Sequence, residues 1–206
     1  MCVICTAAPG TMPTIHQLAA MSQTNPDGAG IAWHDGTTLR RYRSADNEDT
    51  LRYICTHLDD LTAAPVLMHF RLATNGPVCQ ANTHPFRWTK DGKTGYMAHN
   101  GISHTYSHGP HQCDSRNAIA AWEQGADLTD GQEGKFATID QTGETRWLTP
   151  AETIDGQGGP ITVSNTNWQP RDPTTHRYYA TYPEDAWLDG YQQGQEDQQA
   201  ADNLTL

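Results

Sequence analysis

The chain opens with a strand. Cys2-Val3-Ile4-Cys5-Thr6 is an apolar, β-branched run that starts at the second residue, and such runs favour a pleated, half-buried surface. A thiol therefore stands at the head of the first strand. Removal of Met1 would make Cys2 the N-terminal residue. Its α-amine would then titrate at roughly 7.7–8.0, a few bonds from the thiol. Such an amine can take the thiol proton and return it to a leaving amine. A cysteine in second place carries no argument alone. Two later segments give it one: His69-Phe70-Arg71-Leu72-Ala73-Thr74-Asn75-Gly76 and His99-Asn100-Gly101.

Composition narrows the classes. A chain of 206 residues is one domain, or a domain with a tail. Hydrophobic residues make up 36%, the formal charge is -11 and the pI is near 5.2. That acidity argues against a broad phosphate-binding surface, so no nucleic-acid partner is expected. No run is long and apolar enough to span a membrane, and no signal peptide is visible. The five cysteines are odd in number, and their spacing suggests no disulfide framework. A reducing cytoplasm is the expected location, the host cytoplasm if the chain is phage-encoded, and it would keep Cys2 a thiol.

Periodicity and turn residues divide the chain further. A short helix is expected over 13–21, with Pro13 near its first turn. Asn25-Pro26-Asp27-Gly28 is a turn signal. Strands are expected over 30–34 and 38–42, joined at Asp35-Gly36. From Asn47, the residues Leu51, Ile54, Cys55, Leu58 and Leu61 recur at helical spacing and predict one amphipathic helix. Residues 65–70 form an apolar strand that delivers Arg71 at its end. A long polar loop follows through Pro77, Asn82, His84 and Pro85, and a strand over 95–98 leads into His99-Asn100-Gly101. Asp114 or Ser115 should cap a helix that carries Ala118, Ile119 and Trp122. A hairpin around Gly143 and a late strand over 161–164 complete the pattern. The segment 184–206 is rich in Gln, Asp and Glu, holds no Lys or Arg, and reads as a solvated tail behind a domain spanning 1–183. The whole is an α+β layered fold.

Taken in order, these pieces resemble the class II glutamine amidotransferases, a branch of the N-terminal-nucleophile hydrolases. The likeness rests on Cys2, Asn25-Pro26-Asp27-Gly28-Ala29-Gly30, the run from His69 to Gly76, Asn82-Thr83-His84-Pro85-Phe86, His99-Asn100-Gly101, and Cys113-Asp114-Ser115. It implies a four-layer α/β/β/α sandwich and hydrolysis of the glutamine side-chain amide through a thioester, releasing glutamate and ammonia. Cys2 would be the nucleophile, with its own amine as base. The Asn100 side-chain amide and the Gly101 N–H would hold the oxyanion. Arg71 would pair with the substrate α-carboxylate, for which its planar fork is suited. Asp114 would receive the α-ammonium, with Thr74, Asn75 and His84 completing the substrate-binding side. His69, His84 and His99 are expected to fix structure rather than to carry protons, because the mechanism already has its base. No cofactor is implied.

The chain departs from the family pattern at Leu72, where synthase-linked members usually carry Trp, and at Asn75, where they carry His. Neither change removes a reacting group. There is room for no synthase domain, so an ammonia-accepting synthetase is expected on a separate chain. The compactness resembles small stand-alone bacteriophage members. His104, His108, His111 and Cys113 share one loop, but their spacing fits no standard zinc module and no metal is expected there. Two other readings stay open. One is an N-terminal-nucleophile amidohydrolase acting on another γ-glutamyl amide. The other is a non-catalytic binding or assembly protein on the same fold.

Overall fold

Alternation along the first strand explains the layers. In a computed structural model, which describes residues 2–74 and 76–169, strand β1 spans Val3–Ala7. Helix α1 (Ile15–Thr24), strands β2 (Ala29–His34) and β3 (Leu39–Ser44), and helices α2 (Asn47–Thr56) and α3 (Leu58–Thr62) follow. Next come β4 (Val66–Phe70), β5 (Phe86–Lys90), β6 (Lys93–Asn100) and α4 (Asp114–Glu123). The described part ends with β7 (Lys135–Asp140), β8 (Thr145–Trp147), β9 (Glu152–Asp155) and β10 (Pro160–Val163). Val3, Cys5 and Ala7 point one way, against Leu18 and Met21 of α1 and Leu51 and Ile54 of α2. Ile4 points the other way and meets Ala98, Ala137 and Ile139 of a second sheet. That sheet turns Met97 and Phe136 outward, onto Ala118 and Ile119 of α4. Helices, sheet, sheet and helix therefore stack as the expected α/β/β/α sandwich.

One sheet has six strands in the order β3-β2-β4-β1-β10-β9, and the other has four in the order β5-β6-β7-β8. Every pairing in both is antiparallel. Burying each large side chain of these cores contributes about 1.5–3 kcal/mol. Among the described residues no helix is long and apolar enough to cross a membrane. Asn75, the expected domain boundary at 183 and the 184–206 tail lie outside the described residues.

Several elements differ from expectation. Helix α1 starts at Ile15 because Thr14 caps it: the Thr14 hydroxyl accepts from Gln17 N at 3.2 Å, and the Gln17 side chain accepts from Thr14 N at 2.8 Å. The single helix expected from Asn47 is two. His57 leaves the helical region at φ -112° and ψ 25°, with its ring stacked 4.2 Å from Tyr53 and its Nδ1 2.9 Å from the Tyr53 carbonyl. That local ring contact breaks the run. The polar loop before Gly95 contains β5, whose Phe86 and Trp88 are buried while Arg87 and Thr89 are exposed. Strand β9 is mostly exposed and has no apolar run to announce it. The cap of α4 is Cys113, not Asp114 or Ser115. Asp114 is the first helical residue, and its carboxylate turns away to accept from Ser103 N at 2.8 Å.

Candidate active site

Register brings Cys2, Arg71, Thr74, His84, Gly101 and Asp114 to one cleft, with Asn100 adjoining it. The antiparallel pairing of Val3 with Phe70 carries Cys2 alongside Arg71 and Leu72. The Cys2 Sγ accepts from the Leu72 N–H at 3.3 Å and lies 3.3 Å from the Leu72 carbonyl. Around it opens a small cleft whose lining includes Cys2, Arg71, Thr74, His84, Gly101 and Asp114. Burial pushes the Cys2 thiol above its ordinary pKa, and the Leu72 N–H partly offsets this. The thiol therefore keeps its proton at neutral pH and needs a base to become a nucleophile.

Arg71 is only 4% exposed. Its guanidinium donates to the Pro77 carbonyl at 3.3 Å and to the Gly76 carbonyl at 3.4 Å. The turn at Asn25–Gly28 holds the backbone that carries it. Arg71 N donates to the Gly28 carbonyl at 2.8 Å, and Asp27 N donates to the Arg71 carbonyl at 2.9 Å. The Asp27 carboxylate also accepts from Ala73 N at 2.7 Å. The turn signal was legible in the sequence, but its work on Arg71 was not. Asp114 is buried on the cleft wall, with one oxygen taken by Ser103 N. A buried guanidinium and a buried carboxylate thus line the same cleft as the thiol.

Asn100 ends β6, and its Nδ2 donates to the Ser164 hydroxyl at 2.8 Å. Gly101 follows at φ 150°, where a Cβ would lie 2.8 Å from the Gly134 Cα. Only glycine takes that conformation in that space. Ser164 and Asn165 escaped the sequence reading. Asn165 Nδ2 donates to the Cys2 carbonyl at 2.9 Å. Their sole sequence signal is their place at the end of the late strand.

Three histidines stand at the cleft, His84 and His99 in its lining and His69 beneath them. His69 Nε2 lies 2.9 Å from the His99 carbonyl, and His99 Nε2 lies 2.8 Å from the Glu133 carbonyl. A carbonyl only accepts, so both Nε2 atoms carry the proton. His99 Nδ1 then accepts from the Ser115 hydroxyl at 2.8 Å. Burial lowers the pKa of His69 to about 3 and that of His99 to about 4, the latter against the pull of Asp114. His84 packs, with tilted rings, between His69 at 4.1 Å and Phe86 at 4.2 Å, and burial holds it well below the usual histidine range. All three are neutral at pH 7. Gly30 lets the His84 segment lie on β2, since a Cβ there would fall 2.2 Å from the His84 carbonyl.

His104 and His108 are exposed, whereas Cys113 is buried. Among the described residues no group of three or more His, Cys, Asp or Glu side chains is placed to hold a metal ion.

Comparison with known proteins decides the family. Residues 11–115, just over half of the chain, match the class-II glutamine amidotransferases. The chain belongs to that family. The match includes Arg71, Thr74, Asn100, Gly101 and Asp114; Cys2, Ser164 and Asn165 lie outside it. Among solved structures, glutamine phosphoribosylpyrophosphate (PRPP) amidotransferase from B. subtilis aligns with a TM-score of 0.53 at 16% identity. A structure described as the allosteric regulatory enzyme of purine biosynthesis aligns at 0.54 and 16%. Each alignment covers 82% of this chain and 42% of the other, so this amidotransferase chain spans less than half the length of either. At that identity the likeness is one of fold, the α/β/β/α sandwich. No curated protein sequence matches the chain.

Proposed function

We propose that this chain hydrolyses the side-chain amide of glutamine with Cys2 as an N-terminal nucleophile and releases ammonia to an acceptor on a separate chain. One observation carries the reading: the Cys2 thiol shares a cleft with a buried guanidinium, Arg71, and a buried carboxylate, Asp114. That set matches a free amino-acid head group. Arg71 takes the α-carboxylate and Asp114 the α-ammonium, which points the side-chain amide at sulfur. Thr74 and His84 line the same cleft and belong to the substrate-binding side.

The reaction needs Met1 removed. The freed amine of Cys2 accepts the thiol proton, and the thiolate attacks the amide carbon. Negative charge gathers on the amide oxygen, where the remaining Nδ2–H of Asn100 and the Gly101 N–H stabilise it. The amine then protonates the leaving nitrogen, ammonia departs, and a thioester to glutamate remains. Water, deprotonated by the same amine, hydrolyses it. A raised thiol pKa supports this order, because sulfur at neutral pH depends on that base. All five cysteines are free, which suits a reducing compartment.

The test is glutamate release from glutamine by the wild type and by Cys2→Ala, alongside intact mass. Wild-type turnover, a mass lacking Met1, and modification of Cys2 by an electrophilic glutamine analogue are expected. Equal activity in Cys2→Ala would end the proposal. A panel of γ-glutamyl amides run beside glutamine tests the choice of leaving group.

A further inference from the structure

Amide hydrolysis as proposed gives no role to Ser164, a buried hydroxyl at the rim that holds Cys2 and Asn100. Ser164 is 0% exposed, yet three N–H donors converge on its hydroxyl oxygen. Ile4 N lies at 2.9 Å, Asn100 Nδ2 at 2.8 Å and Asn165 Nδ2 at 3.2 Å. A hydroxyl oxygen has two lone pairs, which the shorter contacts from Ile4 N and Asn100 Nδ2 occupy, and Asn165 Nδ2 makes a longer, secondary contact beside them. The donors come from separate parts of the fold. Ile4 lies in β1, two residues beyond Cys2. Asn100 ends β6, in the opposite sheet. Asn165 spans the gap, because the same Nδ2 also donates to the Cys2 carbonyl at 2.9 Å.

The surroundings hold this node in one orientation. Ser164 N donates to the Ile4 carbonyl at 2.9 Å, and Lys135 Nζ donates to the Ser164 carbonyl at 2.5 Å. Lys135 is itself the β7 partner of Asn100. Asn165 is turned by its own neighbours: its Oδ1 accepts from Asn167 N at 3.1 Å, and its carbonyl accepts from the Trp168 indole at 2.8 Å. A side-chain amide is planar. Once one Nδ2–H of Asn100 is aimed at Ser164, the direction of the other is set. Without the hydroxyl, that amide could rotate about its last bond.

We infer that Ser164 is a positioning residue, its hydroxyl oxygen tying the Asn100 amide to the strand that carries Cys2. The inference rests on the reading that Cys2 and Asn100 serve amide hydrolysis. It assigns Ser164 no contact with substrate. A purely structural serine would affect folding alone, whereas this one sets turnover through the donor it orients.

The experiment is a double-mutant cycle on glutamine hydrolysis by the full chain, with variants Ser164→Ala, Asn100→Ala and the pair. Removing an oxyanion donor costs roughly 10²–10³ in turnover, so misdirecting one should cost roughly 10–100-fold in kcat. KM should change little, since Arg71 and Asp114 are untouched. The pair should be no slower than Asn100→Ala alone, because Ser164 acts through that amide. Ser164→Thr, which keeps the hydroxyl, should recover most of the lost kcat. If Ser164→Ala does not fold, Ser164→Cys takes its place in the cycle, with sulfur filling the site as a weak acceptor. An unchanged kcat, or losses that multiply in the pair, overturns the inference. A wild type that releases no glutamate overturns the underlying reading first, before any variant is compared.

Discussion

The space between the two sheets has two unlike ends, built from the same strands. At one end Ile4, Ala32, Leu67, Ala98, Ala137 and Ile139 meet as a dry layer. At the other end the same inward faces carry Cys2, His69, Asn100 and Ser164. Along β4 the inner series runs from Leu67 to His69, and along β6 from Ala98 to Asn100. The dry end is held by volume, and its alanines set how closely the sheets approach. The polar end is held by direction. His69 reaches the His99 carbonyl and Asn100 reaches Ser164, so hydrogen bonds compensate the burial of these groups. Volume tolerates rotation, whereas a hydrogen bond does not. Changes at the dry end should therefore be read in stability, and changes at the polar end in turnover.

The sharpest break in that contrast is at sulfur. Cys2→Ala should abolish glutamate release while leaving the melting temperature close to wild type. Loss of both together would mean that the rim is structural. Next is Asn100→Ala, expected to lower kcat by roughly 10²–10³, again with little loss of stability. Urea denaturation beside steady-state kinetics checks both halves of the statement.

Leu67→Ala tests the dry end. It should cost about 2–5 kcal/mol of unfolding free energy, with kcat per folded molecule preserved. A large fall in kcat at intact stability would erase the distinction between the ends.

Counted per group and per pH unit, the smallest effect is acid sensitivity at the polar end. The pKa values of His69 and His99 fall from 6.5 to about 3 and about 4 in the folded chain. Between those values and 6.5 the unfolded chain binds more protons than the folded one, so stability must drop as pH falls. Each group contributes at most about 1.4 kcal/mol per pH unit. Their stabilising contribution is complete above pH 6.5 and is lost progressively as pH falls, down to about 4 for His99 and about 3 for His69. Melting temperature across that range, compared with His69→Phe, should show a shallower acid slope in the variant. An identical slope would remove His69 from the account.

Legibility followed the range of the forces. The hairpin around Gly143 follows from short-range rules and lies within a residue or two of its expected place; the cap at Thr14 is just as local, but Pro13 drew the expected helix start two residues too early. Strand β5 was within reach, since Phe86-Arg87-Trp88-Thr89 alternates, but the surrounding polar loop masked it. The break at His57 was out of reach, because it depends on how one ring settles on Tyr53. Asp27 was legible as a turn residue, but its hold on Ala73 N depends on a strand more than forty residues away.

By itself the sequence determined which residue types were available: a thiol beside a potential amine, an arginine at a strand end, an Asn-Gly pair and an acid at a helix start. It also determined the alternation that sorts each strand into two faces, since side-chain direction is a local property of the backbone. Only the tertiary structure decided that Ser164 and Asn165, more than 160 residues along the chain, would close around Cys2. Hydrogen bonds between distant segments have no local signature. They exist only after the sheets have stacked and the register has been chosen.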